Sequence, residues 1–257
     1  MTTVRDLARY ADGLLDTEAT PDYPGALNGL QLDNRSEIRA IASAVDFSTR
    51  AIKAAIANDA NLLLVHHGMF WGGPSPFSGP SYARLRLLIE HDIAVYSSHL
   101  PLDRHAAFGN NALLAKELGL EPSGMFAAYE GIFVGVSGES DMETTILAER
   151  ARKFAKTYGS EIRTTEIFKH RRTTRWAICT GAGASAETLK EAEKRNIDTL
   201  IVGEGPHWTA VHAEENELTI IYAGHYATET LGVRALGDHL GKKYSIPSSF
   251  INAPTGL

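Results

Sequence analysis

The sequence predicts an α/β protein. Short apolar runs of strand length alternate with segments of helical period along the chain. With 257 residues, 44% hydrophobic and 22% charged, the chain is an ordinary globular one with enough length for one large domain or two small ones. A single cysteine rules out an intrachain disulfide, so the core must hold by packing.

The elements follow in order. Val4, Leu7, Ala8, Ala11, Leu14 and Leu15 recur at helical spacing, which predicts a helix over about residues 3–16 with Thr2 or Thr3 as N-cap. Pro21, Pro24, Gly25, Asn28 and Gly29 make the next stretch turn-rich. Residues 38–45 read as a buried strand, Ser48 opens a helix to about Asn58, and the apolar run at 61–65 is a second strand. A long loop to Pro80 follows, containing Gly68, Gly72, Gly73, Pro74, Pro76 and Gly79; loops of this length in compact domains are usually functional or disordered. A helix over 81–92, a strand over 93–98 and a helix over about 109–118, closed by Gly119, complete a strand–helix alternation. That order implies a largely parallel, helix-covered sheet. The tract at 120–131 is turn-like, so a division into residues 1–125 and 126–257 is expected. The second half reads as strand 131–138, helix 142–158, strands 161–168 and 175–179, helix 185–196 and strand 198–203. Helix 206–215, strand 218–224, one helix from about Tyr226 to Lys242 and a strand near 245–251 close the chain.

Composition also bounds function. Lys plus Arg number 25 against 31 Asp plus Glu, a net charge of -6, which argues against a general nucleic-acid binder. One Cys against 10 His excludes zinc fingers, cysteine-ligated iron–sulfur clusters and CxxC redox chemistry, so any metal must be held by histidine and carboxylate. Asp6 and Asp12 interrupt the N-terminal segment, which has no apolar signal-peptide core, and no apolar run approaches the ~20 residues of a membrane span. The expected location is the cytoplasm, with no membrane partner.

Three strand exits carry the candidate chemistry, as expected for ligands of open α/β sheets. His66 and His67 end the strand at 61–65 and precede Gly68, Phe70 and Trp71. Neighbouring side chains on a regular strand diverge, but at a strand exit the backbone can turn both imidazoles to one side. The structural alternative is one ring against the core and one in solvent. His225 and Glu229 stand four apart at a helix start, sharing one face; the alternative is an acidic first turn favoured by the helix dipole. Asp103, with His99 and His105 nearby, follows a third strand, where Asp is also a common turn former. Together, His66, His67, Asp103, His225 and Glu229 suit Zn, Mn, Fe, Co or Ni better than Ca or Mg. Five donors exceed one tetrahedral zinc, so a metal pair sharing a carboxylate, ~3.5–4 Å apart, is the natural arrangement.

These residues carry a family resemblance. "NGLQ" (28–31), "VHHGMFWGG" (65–73), "SSHLPLDRH" (97–105), "VGEGPHW" (202–208) and "AGHYATET" (223–230) resemble, in order and across nearly the whole chain, the motifs of the Nif-three-like proteins. This family is named for NGG-one-interacting factor three and is also called the dinuclear metal-centre proteins. The resemblance implies His66, His67, Asp103, His225 and Glu229 as ligands of two divalent metals, with Glu229 bridging. It puts His99, Glu204, Asn28 and Gln31 near the site. It also implies two α/β lobes with mixed or parallel sheets around a metal cleft, the second lobe returning His225 and Glu229 to it, in a ring-shaped homohexamer. At 257 residues the chain resembles the short form without an inserted domain. Gly68 stands where the family commonly has proline, which is expected to loosen the loop.

The function expected is a dinuclear metal-dependent hydrolase acting on a small nucleotide-like or phosphorylated molecule, with His99 or Glu204 shuttling protons. Family members are often labelled GTP cyclohydrolase type proteins, a reaction in which the purine C8 is hydrolysed. The alternative is a non-catalytic metal-binding scaffold, metallochaperone or regulatory protein. His207 and His212 are further candidates for lining the site, His170 lies in the basic "KHRRTTR" cluster, and "TGAGAS" (180–185) offers small residues and N–H groups to a phosphate.

Overall fold

The alternating apolar runs become two β-sheets in the computed structural model of the chain, which describes residues 2–73 and 75–256. Pro74, part of the long loop expected after the second strand, lies outside the described residues.

Helix α1 (Val4–Leu15) is closed by a capping box in which Thr3 and Asp6 each accept from the other's backbone N–H, and it buries Val4, Leu7, Ala8, Ala11 and Leu15. Strand β1 (Gly29–Leu32) lies in the stretch expected to be all turn. Its antiparallel pairing with a strand far along the chain overrides the local Pro and Gly content. Then come β2 (Ile41–Asp46), α2 (Thr49–Ala57, capped by the Ser48 hydroxyl), β3 (Leu62–His67), α3 (Gly79–Glu90), β4 (Ala94–Ser97), a single turn α4 (Leu100–Asp103) and α5 (Asn110–Glu117). Strand β5 (Gly124–Tyr129) again replaces an expected turn. It pairs antiparallel with the long β6 (Ile132–Glu143), and Ala127 within it has φ +58°.

Helix α6 (Thr144–Thr157), β7 (Arg163–Thr164), β8 (Arg172–Cys179), α7 (Ala186–Lys194), β9 (Thr199–Val202), α8 (His207–Glu215) and β10 (Thr219–Tyr222) follow. The single helix expected from Tyr226 to Lys242 is broken. One turn, α9 (His225–Thr228), stops at Glu229, and α10 (Thr230–Tyr244) restarts beyond it. Strand β11 (Ser248–Phe250) is last.

The chain forms two compact units, Met1–Leu102 with Gly232–Ala253, and Asp103–Leu231 with Pro254–Leu257. The sequence suggested one cut near residue 125; here the boundary falls after Leu102, and the chain's last strand belongs to the first unit. The reason is pairing: β11 runs parallel to β2, with Ser249 opposite Ala42.

The first unit holds a five-stranded sheet, β1-β4-β3-β2-β11, parallel except for β1. Ile52 and Ala55 of α2 and Leu88 of α3 pack with Leu63, Val65 and Val95. Each such buried Leu, Ile or Val contributes about 1.5–3 kcal/mol.

The second unit holds a six-stranded mixed sheet, β5-β6-β8-β9-β10-β7, with β8, β9 and β10 parallel. Strand periodicity sorts its faces. Trp176, Ile178 and Ile201 pack with Leu114 of α5 and Leu147 of α6. Their alternates Ala177, Leu200 and Val202 pack with Leu189 of α7 and Ala213 of α8. No helix among the described residues is long and apolar enough to cross a membrane.

Candidate metal centre

In the first unit, β3 and β4 run parallel and end side by side, with Val65 opposite Ser97. The Ser98 N–H extends that ladder to the Val65 carbonyl at 3.0 Å. His66 and His67, the last two residues of β3, therefore stand beside His99. The rings converge rather than diverge: centroids lie 4.9 Å apart for His66 and His67, 4.8 Å for His66 and His99, and 5.7 Å for His67 and His99. One ligand atom from each of the three lies within 4.8 Å of the others.

Each ring is held through Nδ1 by an oxygen. His66 Nδ1 is 2.9 Å from the Ser98 carbonyl, His67 Nδ1 is 2.8 Å from Asp46 Oδ1, and His99 Nδ1 is 2.8 Å from Asp22 Oδ1. A carbonyl or carboxylate oxygen only accepts, so Nδ1 carries a hydrogen and Nε2 is the nitrogen that bears the lone pair whenever the ring is neutral. Asp46 closes β2 directly opposite His67. Burial opposes the charge on Asp22, but hydrogen bonds from His99, Asn28 and the Leu100 N–H outweigh it and hold its carboxyl below the usual value.

Asn28 and Gln31 brace this arrangement. Asn28 Nδ2 donates to Asp22 at 2.8 Å, and its Oδ1 accepts the His99 N–H at 2.7 Å. Gln31 donates to the Leu27 carbonyl at 2.8 Å and accepts the Met69 N–H at 2.6 Å. A Cβ at Gly68 would overlap the Gln31 amide, so the residue expected to loosen the loop is what lets Gln31 pin it.

In the second unit, Glu204 follows β9, Glu229 lies beyond β10, and Asp103 is the last residue of the turn α4. Asp103 is buried, and its Oδ1 accepts from Asn110 Nδ2 at 2.8 Å. His225 Nε2 is 3.1 Å from Glu229 Oε2, while His225 Nδ1 is 2.8 Å from Glu204 Oε1. The i,i+4 pairing survives the helix break because Glu229 is itself the residue at which α9 ends. Burial works against a charged His225, but the hydrogen bonds and negative charges of Glu229 and Glu204 prevail and raise its pKa to about 9. The Cys179 thiol is pushed up to about 12, by burial first and then by the charges of Asp103, Glu229 and Glu191. It is a poor nucleophile and a poor ligand at neutral pH.

Glycines shape this carboxylate site. Gly181 has φ +62°, and a Cβ there would run into the Glu229 carboxylate. The "TGAGAS" segment thus lies against a carboxylate, and several of its N–H groups have partners: Thr180 donates to Asn111 at 2.9 Å, Gly181 to Thr228 at 3.0 Å, Ala184 to the Glu204 carbonyl at 3.3 Å and Ser185 to the Thr188 hydroxyl at 2.8 Å.

The remaining histidines serve locally. His105 stacks on Phe108 and accepts two backbone N–H groups through Nδ1. His212 pairs with Glu193, and His239 bonds Tyr10 at 2.8 Å. His207 is exposed and lines a cleft of about 700 Å³ together with Glu204, Arg163 and Tyr222. Sequence reasoning missed Asp22, Asp46 and Asn110; each meets its partner only through folding, and residue types this common carry no local signal.

The donor chemistry fits a divalent cation. Nitrogens bound at ~2.0–2.1 Å lie at most about 4.2 Å apart, and ring nitrogens of the trio within 4.8 Å of one another are close to the spacing a metal ion sets. Two helix-flanked sheets, with a histidine cluster in the first unit and histidine and carboxylate side chains in the second, define an α/β protein with candidate N/O metal ligands in each unit. The chain matches the Duf34/NIF3 (NGG1p interacting factor 3) family over residues 2–255 and belongs to it.

Relatives called "GTP cyclohydrolase 1 type 2 homolog" include one from Deinococcus radiodurans, 38% identical over 98% of this chain and 94% of that protein. Another, from Pyrococcus horikoshii, is 39% identical over 98% of both. Among solved structures, protein ybgI, described as of unknown function, superposes with a TM-score of 0.88 at 31% identity over 100% of both chains. TTHA1606 from Thermus thermophilus gives 0.83 at 31% identity, again over 100% of both.

Proposed function

We propose that this protein is a dinuclear metal-dependent hydrolase. Two divalent cations (Zn, Fe, Mn, Co or Ni) would be held by His66, His67, Asp103, His225 and Glu229, with Glu229 shared between them. One observation carries the reading: each candidate imidazole has its Nδ1 2.8–2.9 Å from an oxygen, so Nε2 is the nitrogen each ring would turn to a metal. That hydrogen-bond pattern orients metal-ligating histidines and raises their basicity. The carboxylates supply the negative charge that a cation pair requires.

When bound, such a pair lowers the pKa of coordinated water and polarises the group to be attacked. The protein's residues do the rest. Asp46 fixes the tautomer of His67, and Glu204 fixes that of His225. Glu204, half exposed beside the cleft, is also within reach of a proton released there. His99, bonded to an ionised Asp22, can accept a proton at Nε2 and share the charge. The substrate class is a small nucleotide-like or phosphorylated molecule, and GTP is the first compound to try, on the strength of the relatives' name. The same proposal includes a homohexamer and a cytoplasmic location, supported by family resemblance and sequence character.

Metal analysis of protein purified without chelator or affinity tag, followed by hydrolase screening with that metal, tests the reading. About two metals per chain with metal-dependent turnover is the expected result. Metal without turnover of GTP or any other compound in the screen would leave a scaffold or metallochaperone. Metal-free protein that takes up none would overturn the site itself.

A further inference from the structure

Two large aromatic side chains stand exposed beside the histidine trio: Tyr23 at 50% and Trp71 at 43%. Their rings meet edge to face, with centroids 6.4 Å apart and planes at 76°. Both touch the same imidazole. Trp71 lies 4.6 Å from His99 and Tyr23 lies 5.9 Å from it, and Trp71 is also 5.0 Å from His67. The result is an open aromatic corner with two candidate metal-site histidines at its base.

The corner is held, not loose. Tyr23 follows Asp22, whose carboxylate accepts the Tyr23 N–H at 2.7 Å as well as His99 Nδ1. Gly25 packs so closely on the Trp71 carbonyl that a Cβ would stand 2.5 Å from its oxygen. Gln31 ties Leu27 to Met69. Leu27 is kept at φ +40°, a costly conformation for a branched residue, which persists only where the surroundings over-determine it. The fold therefore spends local strain and several hydrogen bonds on a loop whose Tyr ring remains half in solvent.

We propose that Trp71 and Tyr23 bind the planar heterocyclic ring of the substrate, a purine-sized nitrogen heterocycle, and direct its edge toward His67 and His99. This deepens the hydrolase reading by assigning its substrate class and rests on it for the site. The geometry selects a flat ring. Stacked on the indole, it lies steeply inclined to the Tyr ring, so one contact is offset-stacked and the other edge-to-face, both favoured by the ring quadrupoles. A saturated sugar has no rim of that polarity and gains only one face. Base stacking on an aromatic side chain is sequence-tolerant and strong enough that its loss reads as about a tenfold or larger change in affinity.

The test is equilibrium dialysis of the full-length, metal-loaded protein against guanosine, with ribose and ribose 5-phosphate as competitors. Trp71→Leu is expected to weaken guanosine about tenfold or more, Trp71→Phe to restore most of that, and Tyr23→Leu to weaken it about threefold. The sugars should not compete. Metal content, measured in parallel, should be the same in all variants, because neither ring is a donor. Trp71→Leu binding guanosine as wild type, ribose competing equally, or no guanosine binding at all would overturn the proposal. So would a change of sedimentation mass in Trp71→Leu with guanosine binding intact, since the corner would then be a contact between copies. Guanosine binding that follows these variants in protein holding no metal would leave the ring site standing and remove the hydrolase reading.

Discussion

The histidine trio of the first unit and the carboxylate set of the second both form at strand exits, yet they prepare their donors differently. In the first unit the donors are imidazole rings, and the work lies in orientation: every Nδ1 is committed to an oxygen, two of them on aspartates. In the second unit the donors carry charge, and the work lies in making room. Glu229 fits because Gly181 has no side chain, and the negative charge is partly met by His225. Rings are aimed by hydrogen bonds, whereas a buried carboxylate needs space and a countercharge. Changes to the two halves should therefore fail in different ways.

The largest effect is expected from Glu229→Ala. If Glu229 is shared, both metals are lost while the fold persists, so metal analysis should fall from about two per chain to near zero with little change in circular dichroism. Full occupancy in that variant would remove the bridging role. Gly181→Ala comes next. Backbone strain at φ +62° alone costs about 1–2 kcal/mol, and the added methyl displaces the Glu229 carboxylate, so thermal stability drops together with metal content.

Asp46→Asn leaves packing intact but loosens the His67 tautomer, and it should weaken metal binding by about 10–100-fold with no effect on stability in metal-free protein; a chelator titration reads it. Equal sensitivity of both halves to orientation changes would erase the contrast between them.

The smallest effect is a pH dependence confined to the second unit. His225, raised to about 9 in the absence of metal, gains its stabilising charge pairing on folding. A group with a raised folded pKa contributes fully below its unfolded value, ~6.5, and loses that contribution as pH climbs through about 9. Metal-free protein should therefore melt lower as pH rises across that window. His225→Gln should flatten the slope, and an unchanged slope would assign it elsewhere.

Much of this architecture was readable before folding. β2, β3, β4 and β9 are apolar enough to declare themselves, because strands buried on both faces are nearly continuous runs. The helices with capping residues, α1, α2 and α7, begin within one residue or so of their expected starts. β1 and β5 were hidden, since Pro and Gly dominate their local composition and distant partners supply their ladder bonds. The break at Glu229 was equally hidden, because the sequence keeps a helical period straight through it.

The same division runs through the candidate centre. Donor type is a matter of residue chemistry, so His66, His67, His225 and Glu229 stood out at strand exits, and a chain with one cysteine had to offer nitrogen and oxygen. The orienting partners stood nowhere in particular. Asp46 is 21 residues from His67, and Asp22 is 77 residues from His99. Tyr23 and Trp71 became a corner only when their loops were tied together. Sequence by itself determined which atoms are available to a metal, because that is a property of side chains taken one at a time. Tertiary structure alone decided which oxygen holds each ring at Nδ1, where carboxylates fit and which aromatics stay exposed, because those depend on hydrogen bonds and exclusions between segments far apart in the chain.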